Sequence, residues 1–206
     1  MRTKKMTETG PEQIGLPGFD EPPTPPPAKP GRSSPEAPHL SLFFALRPPP
    51  EVAARIGELA ARLRGEHGLT GKLLAPERLH VTLRPMVDDE AQLESAMRAG
   101  ASLVHAGLDV SFDRAISFPG SGAFVLRSSD NLPALGAFRR QLNLAMGDTE
   151  AQASRSATPH MTLLYDKHSI AEHPIEPIGW RAGEFVLVRS HVGFGRHETL
   201  AAWPLA

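Results

Sequence analysis

The chain has 206 residues, 40% hydrophobic and 22% charged, which fits one globular domain with some extra length. With Lys+Arg 22 against Asp+Glu 23 the net charge is −1, which excludes a global basic field for long nucleic acids and makes any phosphate recognition local. The absence of Cys excludes disulfides and Cys-ligated zinc or iron–sulfur centres, no apolar run is long enough to span a bilayer, and the basic start lacks the apolar core of a secretory signal, so a cytoplasmic, monomeric protein is expected.

Residues 1–38 are rich in Pro, Gly, Glu and Ser and include Pro22-Pro23-Thr24-Pro25-Pro26-Pro27. Such a composition buries too little apolar surface to offset ordering entropy, so this segment reads as a disordered tail and residues 39–206 as the folded domain. Order is expected from His39 to Leu46, an apolar strand stopped by Pro48-Pro49-Pro50, which also open a helix. That helix places Val52, Ile56, Leu59, Ala60 and Leu63 on one stripe and ends near Gly65 to Gly68. A loop through Lys72 and Pro76 leads into a strand carrying His80. Asp88 and Asp89 cap a second helix that runs to Gly107, with Leu103 and Val104 among its apolar positions.

A hairpin follows, its strands Val110–Phe118 and Ala123–Arg127 joined by Pro119-Gly120-Ser121-Gly122. Asp130 or Asn131 introduces a third helix, ended by Gly147, and a polar loop from Asp148 to Thr158 delivers a second His strand. Pro174 and Pro177 mark another loop, and two closing strands, Glu184–Ser190 and Glu198–Trp203, are joined across Gly193 and Gly195. Strands interleaved with three helices, several of them hairpin-connected, indicate an α+β domain of two lobes.

Two tetrapeptides stand out. His80-Val81-Thr82-Leu83 is repeated in pattern 80 residues later as His160-Met161-Thr162-Leu163. In a strand the side chains at i and i+2 share a face, so each copy sets an imidazole beside a hydroxyl. One His-x-Thr alone is more often structural than catalytic; two copies supply two proton carriers and two neutral phosphate donors. Neither copy has the further ligands that a metal site needs, and no Gly-x-Ser-x-Gly elbow is present for nucleophilic catalysis. His197-Glu198-Thr199-Leu200 and, more loosely, His39-Leu40-Ser41-Leu42 also fit the pattern. They are set aside, His197 because it follows a glycine turn without a symmetric partner and His39 because it borders the tail.

The paired motifs resemble those of the two-histidine (2H) phosphoesterases, and within them the RNA 2′,3′-cyclic phosphodiesterases of the 2′-5′ RNA ligase family. Leu42-Phe43-Phe44-Ala45-Leu46 before prolines, Leu79 to Arg84, and the closing Val188-Arg189-Ser190 with Ala202-Trp203-Pro204-Leu205 carry the same resemblance. Pro85-Met86-Val87 and Leu164-Tyr165 depart from it beside the motifs. The resemblance implies a pseudo-symmetric bilobed fold, with two antiparallel-rich sheets facing a cleft and helices outside. It also implies metal- and cofactor-free hydrolysis of 2′,3′-cyclic phosphates on RNA ends or small cyclic nucleotides. His160 would be the base and His80 the acid for a 2′-phosphate product, with Thr82 and Thr162 on the non-bridging oxygens. The alternatives are an RNA-end-binding protein without turnover and a 2′-5′ oligonucleotide phosphodiesterase or ligase. Arg84, four residues after His80, is a further phosphate candidate on the same strand face. Phe43, Phe44 and Tyr165 are candidates for stacking on a base, although Tyr165 falls off the face of His160 and Thr162.

Overall fold

The computed structural model describes residues 39–155 and 157–206, so the expected tail lies outside the described residues. In chain order the elements are β1 (Leu40–Leu46), α1 (Pro50–Glu66), a 3₁₀ turn (Pro76–Arg78), β2 (Val81–Val87), α2 (Glu90–Ser102), β3 (Leu108–Ser117), β4 (Ala123–Arg127), α3 (Pro133–Ala145), α4 (Glu150–Ala153), β5 (His160–Tyr165), β6 (His173–Ala182), β7 (Glu184–His191) and β8 (Arg196–Pro204).

The local rules hold where the sequence signals were strongest. Pro50 opens α1, where its missing N–H costs nothing, and the helix buries Val52, Ala53, Ile56, Leu59, Ala60 and Leu63. Asp89 caps α2, its carboxylate accepting from the Gln92 N–H at 2.7 Å. Other boundaries move. Helix α2 stops at Ser102, and Val104 is 89% exposed, because no buried surface waits for it beyond the last turn. Before α3, Asn131 and Leu132 both take positive φ, and the Asp130 carboxylate accepts from the Leu132 N–H at 2.9 Å, so the entry is a turn closed by Asp130 with Pro133 in the first helical turn. The polar stretch after Gly147 holds the short α4, fixed by a reciprocal capping box between Thr149 and Gln152. The stretch with Pro174 and Pro177, read as a loop, is β6. It lies at the edge of the sheet, where a residue without an N–H need not break a ladder on both sides.

The eight strands run in the order β6-β3-β4-β5-β2-β1-β7-β8, with antiparallel neighbours throughout. The two sheets expected from sequence are two four-stranded halves of one ladder. They meet through β2 and β5 at the single pair Val81↔Met161. On one face a continuous core joins both halves to α1, α2 and α3 and contains Phe44, Val81, Leu83, Phe124, Phe138, Met161, Leu163 and Phe185. Phe44, Phe185 and Trp203 pack ring on ring there, with Phe185 and Trp203 stacked at 5.2 Å, an arrangement worth about 0.5–1.5 kcal/mol beyond area burial. The opposite, helix-free face carries a small separate cluster of Phe43, Ala45, Val186 and Val188.

Both His strands contain a bulge at the same place. Thr82 pairs with Ala45 while Arg84 pairs with Phe44, so Leu83 is the extra residue. Eighty residues on, Thr162 pairs with Val125 while Leu164 pairs with Phe124, so Leu163 is extra. A bulge breaks the two-residue alternation, and residues after it change face relative to those before it. The consequence reaches the functional site.

Candidate functional site

The seam between the halves assembles the two motifs. Val81 and Met161 pair and point into the helix-side core, so their neighbours His80, Thr82, His160 and Thr162 stand on the other face. Carrying that antiparallel register one step each way sets His80 across from Thr162 and Thr82 across from His160. Each imidazole therefore has one hydroxyl beside it in its own strand and one across the seam. Among the described residues neither threonine hydroxyl is taken up by a hydrogen bond.

The two imidazoles are held alike. His80 Nδ1 lies 2.7 Å from the Arg78 carbonyl, and His160 Nδ1 lies 2.9 Å from the Thr158 carbonyl, in both cases two residues back. A carbonyl only accepts, so in each ring Nδ1 is the donor and Nε2 keeps the lone pair, or the second proton when the ring is charged. Phe43 stacks on the His80 ring at 4.7 Å, and Phe118 meets the His160 ring edge-on at 4.7 Å. Burial pushes the His80 imidazole below its ordinary value. The hydrogen bond to the Arg78 carbonyl opposes this, and the charges of Arg47, Arg78 and His160 add to it. The charge of His160 is thus felt at His80 across the seam.

The remaining candidates divide. Arg84 follows the Leu83 bulge and so points to the helix side, contrary to the expectation that it shares a face with His80. Its guanidinium forks onto Asp148 at 2.6 and 3.0 Å and onto the Asn143 side-chain oxygen at 2.9 Å. Phe44 is fully buried in the helix-side core and is not available to a base. Phe43 is on the seam face but only 8% exposed, because it forms the wall behind His80. Tyr165 benefits from the second bulge. It pairs with Ala123, next to the core residue Phe124, and so shares the face of His160 after all, 60% exposed.

Three further residues at the site, Arg127, Arg47 and Arg78, were not indicated by the sequence, and a fourth, His197, was discounted there. Arg127 lies directly across from His160 on β4, and Arg47 occupies the equivalent place 80 residues earlier at the end of β1. The shared spacing was the one signal that could have found them. Arg78 enters because its backbone orients His80. His197, set aside as a chance match, has its ring 5.4 Å from that of His80 and 5.3 Å from Phe43, while Thr199 Oγ1 accepts from Arg47 Nη1 at 2.7 Å. Burial, with the charges of His80, Arg78 and Arg47, pushes the His197 imidazole down to about 4. The third His-x-Thr thus lies inside the site, on the neutral side of its titration near pH 7.

Among the described residues no group of three or more His, Cys, Asp or Glu side chains is placed to hold a metal, and no helix is long and apolar enough to cross a membrane. Two imidazoles with presented Nε2 atoms and two unengaged hydroxyls can perform proton transfer at a phosphoryl group from two sides while holding its oxygens.

A family model described as the 2′-5′ RNA ligase superfamily matches residues 27–193. The fold is similar to that of E. coli LigT complexed with ATP, at 22% identity over 82% of this chain and 99% of that one, with a TM-score of 0.65. It is similar to E. coli LigT complexed with phosphate at 25% identity and a TM-score of 0.61, with the same shares of the two chains. For TT0787 of Thermus thermophilus the identity is 22%, the TM-score 0.60 and the shares 80% and 97%. No curated protein sequence matches.

Proposed function

Since the chain belongs to the 2′-5′ RNA ligase superfamily of two-histidine phosphoesterases, we propose that it hydrolyses 2′,3′-cyclic phosphates at RNA ends or on nucleotides, without a metal or cofactor, by acid–base catalysis between His80 and His160. The observation that carries this reading is the matched mounting of the two rings: each Nδ1 is committed to the carbonyl two residues back, each Nε2 is left to work, and a free threonine hydroxyl stands beside each. A phosphate-binding protein without turnover has no need of two identically oriented imidazoles on opposite sides of one seam.

In the step itself His160 Nε2 takes a proton from water as its oxygen attacks phosphorus, and the bond from phosphorus to O3′ breaks. The protonated Nε2 of His80 donates to O3′, leaving a 2′-phosphate and a pair with its protons exchanged. Thr82 and Thr162 donate to the non-bridging oxygens as charge grows there. In the ligand-free protein His80 is held neutral by burial and by Arg47 and Arg78, so the acid role requires proton uptake with substrate. The anionic cyclic phosphate supplies the cause, since a negative charge beside the ring raises its proton affinity. Tyr165, exposed on the same face, is the candidate platform for the base.

The test is incubation in excess chelator with the four nucleoside 2′,3′-cyclic phosphates and with RNA ending in a cyclic phosphate, resolving 2′- from 3′-monophosphate products. The 2′-phosphate is expected. A 3′-phosphate product reverses the roles of the two histidines, and activity that vanishes with chelator and returns with one divalent ion replaces the two-imidazole mechanism by a metal-assisted one.

A further inference from the structure

Beside His80, on the face of the sheet that carries the motifs, lies a pocket of about 390 Å³ that contains none of the four motif residues. Its walls bring together the guanidinium groups of Arg47, Arg78 and Arg196 with His197 and Thr199; Glu77 is the carboxylate in its lining. None of these arginines is in an ion pair among the described residues. Arg47 donates to a neutral hydroxyl and senses Glu184 only at a distance, and the buried Nε of Arg78 has no hydrogen-bond partner at all. The turn before β8 is built to allow the cluster. Gly195 has φ +64, and a Cβ there would stand 3.2 Å from Arg78 Nη1.

The other half of the sheet shows that this is not how the fold disposes of its cations by default. Arg127, the counterpart of Arg47, is paired with Glu172 at 2.9 Å, and Arg114 stands 4.0 Å from the same carboxylate. Three unpaired like charges lining one pocket are unfavourable in a chain of net charge −1, and two of them, Arg47 and Arg78, depress the proton affinity of both nearby histidines. Such an arrangement is relieved by an anion, and arginine forks match phosphate oxygens in pairs.

We infer that the pocket of Arg47, Arg78 and Arg196 is a subsite for a second phosphoryl group of the substrate, the one on the 5′ side of the nucleotide whose cyclic phosphate lies at the two histidines. The inference rests on the proposed function and deepens it. The subsite adjoins His80 and not His160, so the ribose and its 5′ substituent lie on the side of His80. In-line attack then comes from the side of His160, which is the division of labour assigned above. The same chemistry fits a 5′-phosphate on a mononucleotide and the phosphodiester that continues an RNA strand.

The experiment compares kcat/KM for adenosine 2′,3′-cyclic phosphate, its 5′-phosphorylated form, and the dinucleotide ApA ending in a 2′,3′-cyclic phosphate. A charge-assisted contact made only by the second phosphate should favour the 5′-phosphorylated substrate by about tenfold or more over the unphosphorylated one. Arg196→Gln, on an exposed side chain, and Arg78→Gln should each shrink that ratio. A preference for the 5′-phosphorylated mononucleotide without one for the dinucleotide marks a monoester subsite; equal preference for both marks one for a continuing strand. Equal kcat/KM for all three in the unmodified protein overturns the subsite whatever the variants do. Should no cyclic phosphate be turned over, the proposed function fails, and the subsite is judged by affinity alone. Adenosine 3′,5′-bisphosphate must then bind at least tenfold tighter than 3′-AMP, and equal affinities end the proposal.

Discussion

The two halves of the sheet carry the same motif in the same setting and differ in what surrounds it. In each, a histidine is held by a carbonyl two residues back, a threonine follows at i+2, a leucine bulges from the ladder, and a phenylalanine receives the residue after the bulge. Around His80 lie Phe43, His197 and unpaired arginines; around His160 lie Phe118 and an arginine already neutralised by Glu172. The repeat builds the chemistry, and the departures from it give the site two different ends. An asymmetric substrate needs such ends, because identical halves would offer it two equal orientations.

Breaking the repeat itself should have the largest effect. His80→Ala and His160→Ala should each lower kcat by about 10²–10⁴-fold, and the double variant should fall little further, since a relay without one member is already broken. The bell-shaped pH profile of kcat should lose a limb in either single variant. Losses that multiply, or a single variant with both limbs intact, would separate the motifs into two sites. Thr82→Val and Thr162→Val should keep both limbs and reduce kcat by a smaller factor, about 10–100-fold, because they remove phosphate donors and not proton carriers.

A smaller effect is expected where the halves diverge immediately after the bulge. Arg84 and Leu164 occupy equivalent places, but only Arg84 reaches Asp148 and Asn143, with side-chain exposures of 20% and 22% for Arg84 and Asp148. Arg84→Met should leave Asp148 without its partner and cost about 1–3 kcal/mol in urea denaturation. Its kcat should stay near that of the unmodified protein. A variant of normal stability with a raised KM would instead return Arg84 to the phosphate.

The smallest effect concerns His197, which has no counterpart at the other end. Its pKa is depressed from 6.5 to about 4 in the fold, so as pH falls the unfolded chain takes up the proton first. The stability tied to the neutral ring is therefore complete above about pH 6.5 and is lost on the way down to about pH 4. Urea midpoints between about pH 7.5 and about pH 4.5 should fall less steeply in His197→Gln than in the unmodified protein. Equal slopes would mean that His197 is not buried against His80.

The sequence by itself determined the motif pair, the family, and the helices and strands with strong local signals. Those features depend on the order of side chains along the chain: a stripe in α1, an acid before α2, and a histidine two residues from a threonine, twice, 80 residues apart. It did not reveal β6, whose prolines oppose a strand everywhere except at an edge, and the edge exists only once β3 has taken its place beside it. Nor could it decide which way Arg84 and Tyr165 point, because strict alternation puts Arg84 on the face of His80 and Tyr165 off the face of His160. Two bulges reverse both, and a bulge is a property of two paired strands rather than of either one. Arg47 comes to the site because β1 pairs with β2, which sets it beside His80, and His197 comes only because β7 pairs with β1 on one side and β8 on the other, which carries its side chain onto the face where the two halves meet.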